Sequence, residues 1–276
     1  MTYWPTTDTY CTDENRGSAQ GLLMTLEFPR RPEIRLRNPP LQEVICQVRF
    51  PTILRIANEQ PSEMQERVRR TFPHLEIEKG MLVRVSSASG PPSAEPAPPT
   101  YRFLSGDRAT VISLTQDFYA LSTTAYEHWQ AFAGHLTTAH DAVLEVYEPA
   151  HAIRVGLRFV NRLTIENTQT NSEDEMLGLL RPELTALLTA DGWKDAAEMR
   201  SRMSLPDGDA VLTLQTSFGR ENNQPFFVID FDYFEEGELP LNHLVDRCSR
   251  YQQVVYDAFR WCILERALDA FGIIQE

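Results

Sequence analysis

The residues with most chemical promise in this sequence are three arginines. In HAIRVGLRFVNRLTI, residues 151–165, a two-residue period sets Ile153, Val155, Leu157, Phe159, Leu163 and Ile165 on one side. Arg154, Arg158 and Arg162 fall on the other side. Arginines four residues apart on a strand stand ~13 Å from one another. Each guanidinium is a rigid fork that takes a carboxylate or phosphate through two parallel hydrogen bonds. Gly156 lies between the first two, where a strand glycine marks a bulge or the close approach of another group. Two expectations follow. One is a cross-strand ladder to Asp230 and Asp232 of FFVIDFDYFEE, with Glu235 and Glu236 just beyond; such pairs contribute about 0.2–1 kcal/mol each. The other is a site for a small anionic, nucleotide-like ligand, formed by Arg154, Arg158 and Arg162 with Arg49 from an earlier strand. The ladder is the first expectation and the ligand site the second.

Asn161 breaks the pattern, because its parity puts an amide on the apolar side. A buried amide needs hydrogen-bond partners, so Asn161 is expected to tie the strand to a loop or helix end, with ligand contact as the alternative. Asp230 and Asp232, with Glu235 or Glu236, offer oxygen ligands for a hard cation such as magnesium; they are weak metal candidates, and no cofactor is expected. The six histidines (His74, His128, His135, His140, His151, His243) form no HxH, HExxH or i, i+4 pair, so zinc has no support. His140 shares a helical face with Trp129, Ala133, Leu136 and Leu144 and reads as a satisfied core histidine. There is no GxSxG, GxxxxGK[ST] or GxGxxG, and Cys46, on the apolar face of its strand, reads as structural.

The bulk properties narrow the classes. With 276 residues, 42% hydrophobic and 24% charged, the chain buries a substantial core. Apolar runs fall far short of the roughly 18 residues that span a bilayer, and no secretory leader is visible. The four cysteines lack CxxC spacing, which predicts reduced thiols and a cytoplasmic setting. A net charge of -13 argues against broad binding to nucleic acid or an anionic membrane. Lys79 and Lys194 are the only lysines among the 26 basic residues, which dilutes the meaning of any one arginine cluster.

The elements that must position these residues repeat. Residues 1–23 read as a disordered or non-native tail, with Met24 a candidate start. Ser86–Thr100, with five prolines in 15 residues, reads as a mobile loop that forms neither ladder nor helix. Half-buried strands are expected at Leu41–Phe50, MLVRV, YRFL, ATVISLT and FYALST, with a short helix at PSEMQERVRRTF. A long helix follows from Thr124, where Thr124 and Glu127 have capping-box spacing. The second half has strands at AIRVGLRFVNRLTI, MRSRMSL, AVLTLQTSF and FFVIDFDYF, the middle pair joined by the turn PDGD. A helix at NSEDEMLGLLRPELTALLTA, with a capping box from Ser172 to Glu175 and an interruption at Pro182, lies among them, and a helix over Leu241–Phe271 closes the chain. VICQVRF and IRVGLRF align without gaps, each ending in Arg-Phe. The expectation is therefore an α+β fold of two pseudo-duplicated β-α-β(3–4)-α halves, 24–148 and 149–276, in one compact unit. Its order is that of TATA-binding-protein-like folds, an antiparallel sheet with helices on one face.

The pieces NPPLQEVICQVRF, YRFLSGDRATVISLTQDFYALSTTAYEHWQAF and RVGLRFVNRLTI occur in that order. They are similar to an uncharacterised family of bacterial and archaeal proteins of about this length, sporadically distributed among genomes. Its pattern is an NPPxxEVxxxVRF strand, a YxxW-F helix start (here Tyr126, Trp129, Phe132) and an RxGLRxxNR strand. The resemblance runs from Arg37 to the C-terminus and brings no catalytic residues with it. Sporadic occurrence implies accessory genes, including defence- or toxin-linked cassettes. The first functional expectation is thus a non-enzymatic accessory module that binds another protein. A small anionic-ligand binder and a metal-dependent phosphodiesterase or nuclease are the alternatives.

Overall fold

Val44, Cys46 and Val48 are fully buried on one face of the strand β1 (Leu41–Arg49), and Ile45 and Gln47 are buried on the other, so the expected strand forms but is covered on both faces over 44–48 rather than half-buried. The computed structural model describes residues 26–84 and 93–274, with backbone alone for 81–84 and 93–96. The expected tail 1–23 lies outside the described residues, as does 86–92 of the proline segment. Before the sheet proper, the chain forms α1 (Leu54–Asn58), α2 (Ser62–Val68), β2 (His74–Glu78) and β3 (Met81–Arg84). β4 (Ser93–Pro96), β5 (Thr100–Leu104), β6 (Thr110–Leu114), β7 (Phe118–Thr123) and α3 (Trp129–Tyr147) complete the first half.

The second half opens with β8 (Ala152–Thr164), α4 (Ile165–Thr168), α5 (Glu173–Leu177) and α6 (Pro182–Thr189). β9 (Met199–Asp207), β10 (Ala210–Glu221) and β11 (Gln224–Leu239) follow, then α7 (Leu244–Cys262) and α8 (Glu265–Phe271). Nine strands make one antiparallel sheet in the order β2-β5-β6-β7-β1-β8-β11-β10-β9. The first strand of each half, β1 and β8, therefore lie side by side at its centre.

Both long helices cover the same face. Tyr119 of β7 bonds His140 of α3, and Cys46 of β1 lies 3.6 Å, sulfur to sulfur, from Cys248 of α7. Tyr119 stands opposite Val48 in register, which puts it on the Cys46 side of the sheet. Phe132, Leu136 and Val143 of α3 and Tyr251, Val255 and Phe259 of α7 close the core against that side. Among the described residues no helix is long and apolar enough to cross a membrane.

Four local expectations need correction. The α3 helix begins at Trp129, not Thr124: the backbone N–H of Thr124 bonds the carbonyl of Ala109, and the helix is capped by the His128 side chain. Ser93–Pro96 pairs antiparallel with β3, so part of the proline segment does form a ladder. Its one internal proline, Pro96, is the last residue of a strand paired on one side alone, where a missing N–H costs little. The terminal helix is broken at Ile263 and Leu264, which turn extended; Leu264 N–H bonds the Leu179 carbonyl and Arg181 N–H that of Cys262. Ile153, expected among the core residues of its strand, is 39% exposed.

Candidate functional site

The arginine face of β8 looks away from the helices, and carboxylates of β11 meet it. Arg158 holds Asp230 through Nε at 2.8 Å and Nη2 at 2.6 Å. Arg154 reaches Asp232 at 2.8 Å, and its guanidinium lies 4.4 Å over the Phe234 ring. In register Arg158 faces Asp232 and Arg154 faces Glu236, so the Arg158 side chain slants two residues along β11 to Asp230 and that of Arg154 four residues to Asp232, with Glu236 also 3.6 Å from Arg154. Arg162 pairs with Glu221 and stacks 4.3 Å over Phe226. Arg49 of β1 stands opposite Arg154 in register on this face, and its side chain forms a half-exposed pair with Asp117 at 3.7 Å.

Burial works against the charge on Arg158, but Asp230 more than offsets it and the pKa of Arg158 is raised. Burial also raises the Asp232 carboxyl, an effect that Arg154 and Arg158 counter in part. One oxygen of Asp232, Oδ1, is buried without a hydrogen bond. The two aspartates thus spend their carboxylates on guanidinium groups. Among the described residues no group of three His, Cys, Asp or Glu is placed to hold a metal ion.

Asn161 leads to a different place. Its parity turns it to the helix side, where it is 5% exposed and lines a cleft of ≈ 460 Å³. That volume falls within the roughly 300–1,000 Å³ of small-molecule sites. The cleft lies between β8, α7, the segment before α3, and a strap of non-periodic residues running into β1. A register shift between Leu41 and Glu43 of β1 falls beside Asn161, and such irregularities re-aim side chains at functional sites.

The strap is fastened along its length. Arg31 N–H donates to buried Asp257 at 2.7 Å and Ile34 N–H to the Tyr256 hydroxyl at 3.1 Å. Arg37 and Asn38 N–H bond the carbonyls of Gly272 and Phe271. This fixes Ile34, Leu36, Pro39, Pro40 and Leu41 as one apolar wall, with Phe159, Val255 and Phe259 opposite. Because α3 starts late, the extended residues Tyr126, Glu127 and His128 reach the same cleft. The rings of Tyr126 and Phe159 meet edge to face at 5.8 Å.

The polar groups are few. Asn161 Nδ2 donates to the Ile229 carbonyl of β11 at 3.3 Å, a neighbouring strand rather than the expected loop or helix end, and Asn161 Oδ1 has no partner among the described residues. Gln252 of α7 is 7% exposed, and its amide has no hydrogen-bond partner among the described residues. Its amide atoms are not sealed off but open to the cleft, where they can be met by water or a ligand. At the rim, the Tyr126 hydroxyl donates to Glu33 at 3.3 Å. Partial desolvation raises the Glu33 carboxyl above its ordinary 4.5, against the pull of Tyr126, His128 and Arg35.

No family model matches the chain, and no curated protein is significantly similar to it. Of the residues singled out by pattern, the structure brings Arg154, Arg158, Arg162, Asp230 and Asp232 together on one face and sends Asn161 to the other. Glu33, His128 and Gln252 were not legible as site residues. Gln252 did carry a signal: it sits four residues after Cys248 and three before Val255, on the buried stripe of α7.

Proposed function

We propose that the protein is a binding module whose cleft takes up a small, largely apolar molecule, held by hydrogen bonds to Asn161 and Gln252. The observation that carries this reading is Gln252, a largely buried side chain whose amide has no hydrogen-bond partner among the described residues and opens onto an apolar cleft. The ligand site is thus read on the helix face, and the arginine strand as architecture. The reading is tested with N-phenyl-1-naphthylamine, a neutral dye whose fluorescence rises in apolar sites. Saturable binding that Ile34→Trp, a cleft-filling change, abolishes without lowering the melting temperature supports it. Binding indifferent to Ile34→Trp removes it.

A protein-binding accessory module, in a defence- or toxin-linked cassette, is the second reading. Its support is the exposure of Leu187 on α6 (61%) and of Trp193 just beyond it (65%). Native mass spectrometry of the protein from its host separates the two: a small adduct favours the cleft, a stoichiometric protein the surface near α6. A metal-dependent phosphodiesterase built on Asp230 and Asp232 has least support, since both are held by arginines.

The same reading takes the halves 24–148 and 149–276 as a duplicated β-α-β(3–4)-α unit of TATA-binding-protein-like order. The central, adjacent positions of β1 and β8 support it. A cytoplasmic setting, supported by the buried free thiols Cys46, Cys248 and Cys262, belongs to it as well.

A further inference from the structure

We infer that the cleft selects a neutral, planar molecule that carries an amide-like edge, an N–H donor beside a carbonyl or ring-nitrogen acceptor, as in a lactam or a nucleobase. This rests on the small-ligand reading of the cleft and narrows it to a chemical class.

Three observations carry the inference. First, Gln252 offers the cleft a donor and an acceptor from one planar group, neither of them used among the described residues. A lone hydroxyl or ketone satisfies one of the two; an N–H beside an acceptor satisfies both in a paired contact. Asn161 Oδ1 adds an acceptor for a second donor, and the Nδ2 assignment is secure because the Ile229 carbonyl it faces can only accept. Second, the ionisable side chains that line the cleft, Glu33, Glu127, Arg35 and His128, come from the strap and the segment before α3 and carry both signs. The walls from β8 and α7 contribute amides, the Tyr256 phenol and apolar groups. A charged ligand seated against those walls would lose hydration without a countercharge. Third, Phe159, Phe259 and Tyr126 supply aromatic surface, which suits a flat ring system stacked or met edge-on.

The test uses the full chain and three bicyclic probes of similar size: naphthalene, quinolin-2(1H)-one and 2-naphthoate. Each competes with bound N-phenyl-1-naphthylamine, a neutral dye. The lactam is expected to bind at least about tenfold tighter than naphthalene. Gln252→Leu should erase that difference by weakening the lactam relative to naphthalene; if the leucine variant melts early, Gln252→Met serves in its place. Equal displacement by lactam and naphthalene overturns the amide-edge inference while the cleft reading stands. Tightest binding by 2-naphthoate overturns neutrality. If no probe displaces the dye, and Ile34→Trp does not alter dye binding, the cleft reading itself falls.

Discussion

The guanidinium of Arg154 occupies the space that a side chain at Gly156 would need: a β-carbon there would stand 2.5 Å from Nη1. Arg154 bends along its own strand to stack on Phe234 and reach Asp232. Glycine at 156 is therefore the condition for burying this arginine.

From this it follows that Gly156→Ala destabilises the fold by about 1–3 kcal/mol, the usual cost of overpacking a closed site. Urea denaturation measures it. Dye binding in the cleft, on the opposite face of the sheet, should be unchanged. A neutral effect on stability would mean that the guanidinium yields easily and that its contacts are weak.

Arg158 and Asp230 form the most enclosed of the cross-strand pairs, with side chains 13% and 10% exposed. Arg158→Ala strands a buried carboxylate and should cost about 3–5 kcal/mol. The double change Arg158→Met with Asp230→Leu should cost less than Arg158→Ala alone, since it leaves no unpaired charge. Denaturant midpoints of the three chains decide this, and a double variant weaker than the single would contradict it.

His140 joins Tyr119 to the Leu241 carbonyl, with Nδ1 2.7 Å from the tyrosine hydroxyl and Nε2 3.0 Å from the carbonyl oxygen. A carbonyl can only accept, so Nε2 carries the proton and Nδ1 accepts from Tyr119. Burial lowers the pKa of His140 from its ordinary 6.5, so below that value the unfolded chain takes up a proton that the folded chain refuses. The stability from this neutral ring is full above about pH 6.5 and is lost as pH falls. Melting temperature followed from pH ~8 to ~5 should fall, and less so in His140→Asn. The raised carboxyls of Glu33 and Asp232 act with the opposite sign. Their contributions are greatest below their ordinary values and fade as pH rises through the raised ones. Identical pH profiles for the two chains would remove His140 from this role.

Asp257 fastens the strap by accepting from Arg31 N–H at 2.7 Å and from Gln253 at 3.0 Å. Asp257→Ala should release residues 31–34, seen as faster amide exchange there, and weaken dye binding by about tenfold for a lost hydrogen bond. Exchange in β1 and β8 should not change. Unaltered exchange at 31–34 would show that the apolar strap contacts alone suffice.

The sheet was largely legible, because strands with one mainly apolar face write a two-residue period: β1, β8 and β11 follow theirs, and Arg158 and Asp230 face the same way as that parity requires. The start of α3 was not. Thr124 has the residue type and spacing of a good cap, yet the chain stays extended to Trp129 and uses a histidine instead. The break after α7 was hidden for a similar reason, since Ile263 and Leu264 suit a helix and turn extended through pairing with residues 179–181. The cleft was illegible because single residues from the strap, β8, α7 and the segment before α3 build it. No local period links Glu33, Tyr126, Asn161 and Gln252. Parity did flag Asn161, which needs a polar partner on an apolar face, and Asn161 lines the cleft.

The seam between β1 and β8 joins residues as distant as Gln47 and Arg154, which share a hydrogen bond. During synthesis, β1 finds β7 on one side long before β8 leaves the ribosome. Until then its other edge exposes a row of unpaired N–H and carbonyl groups. A chain halted between Tyr147 and Ala152 would hold that edge open for any passing strand, and a second copy of the first half would be the nearest match. Ribosome stalling or cleavage within this short stretch would therefore yield sticky halves rather than two small folded proteins.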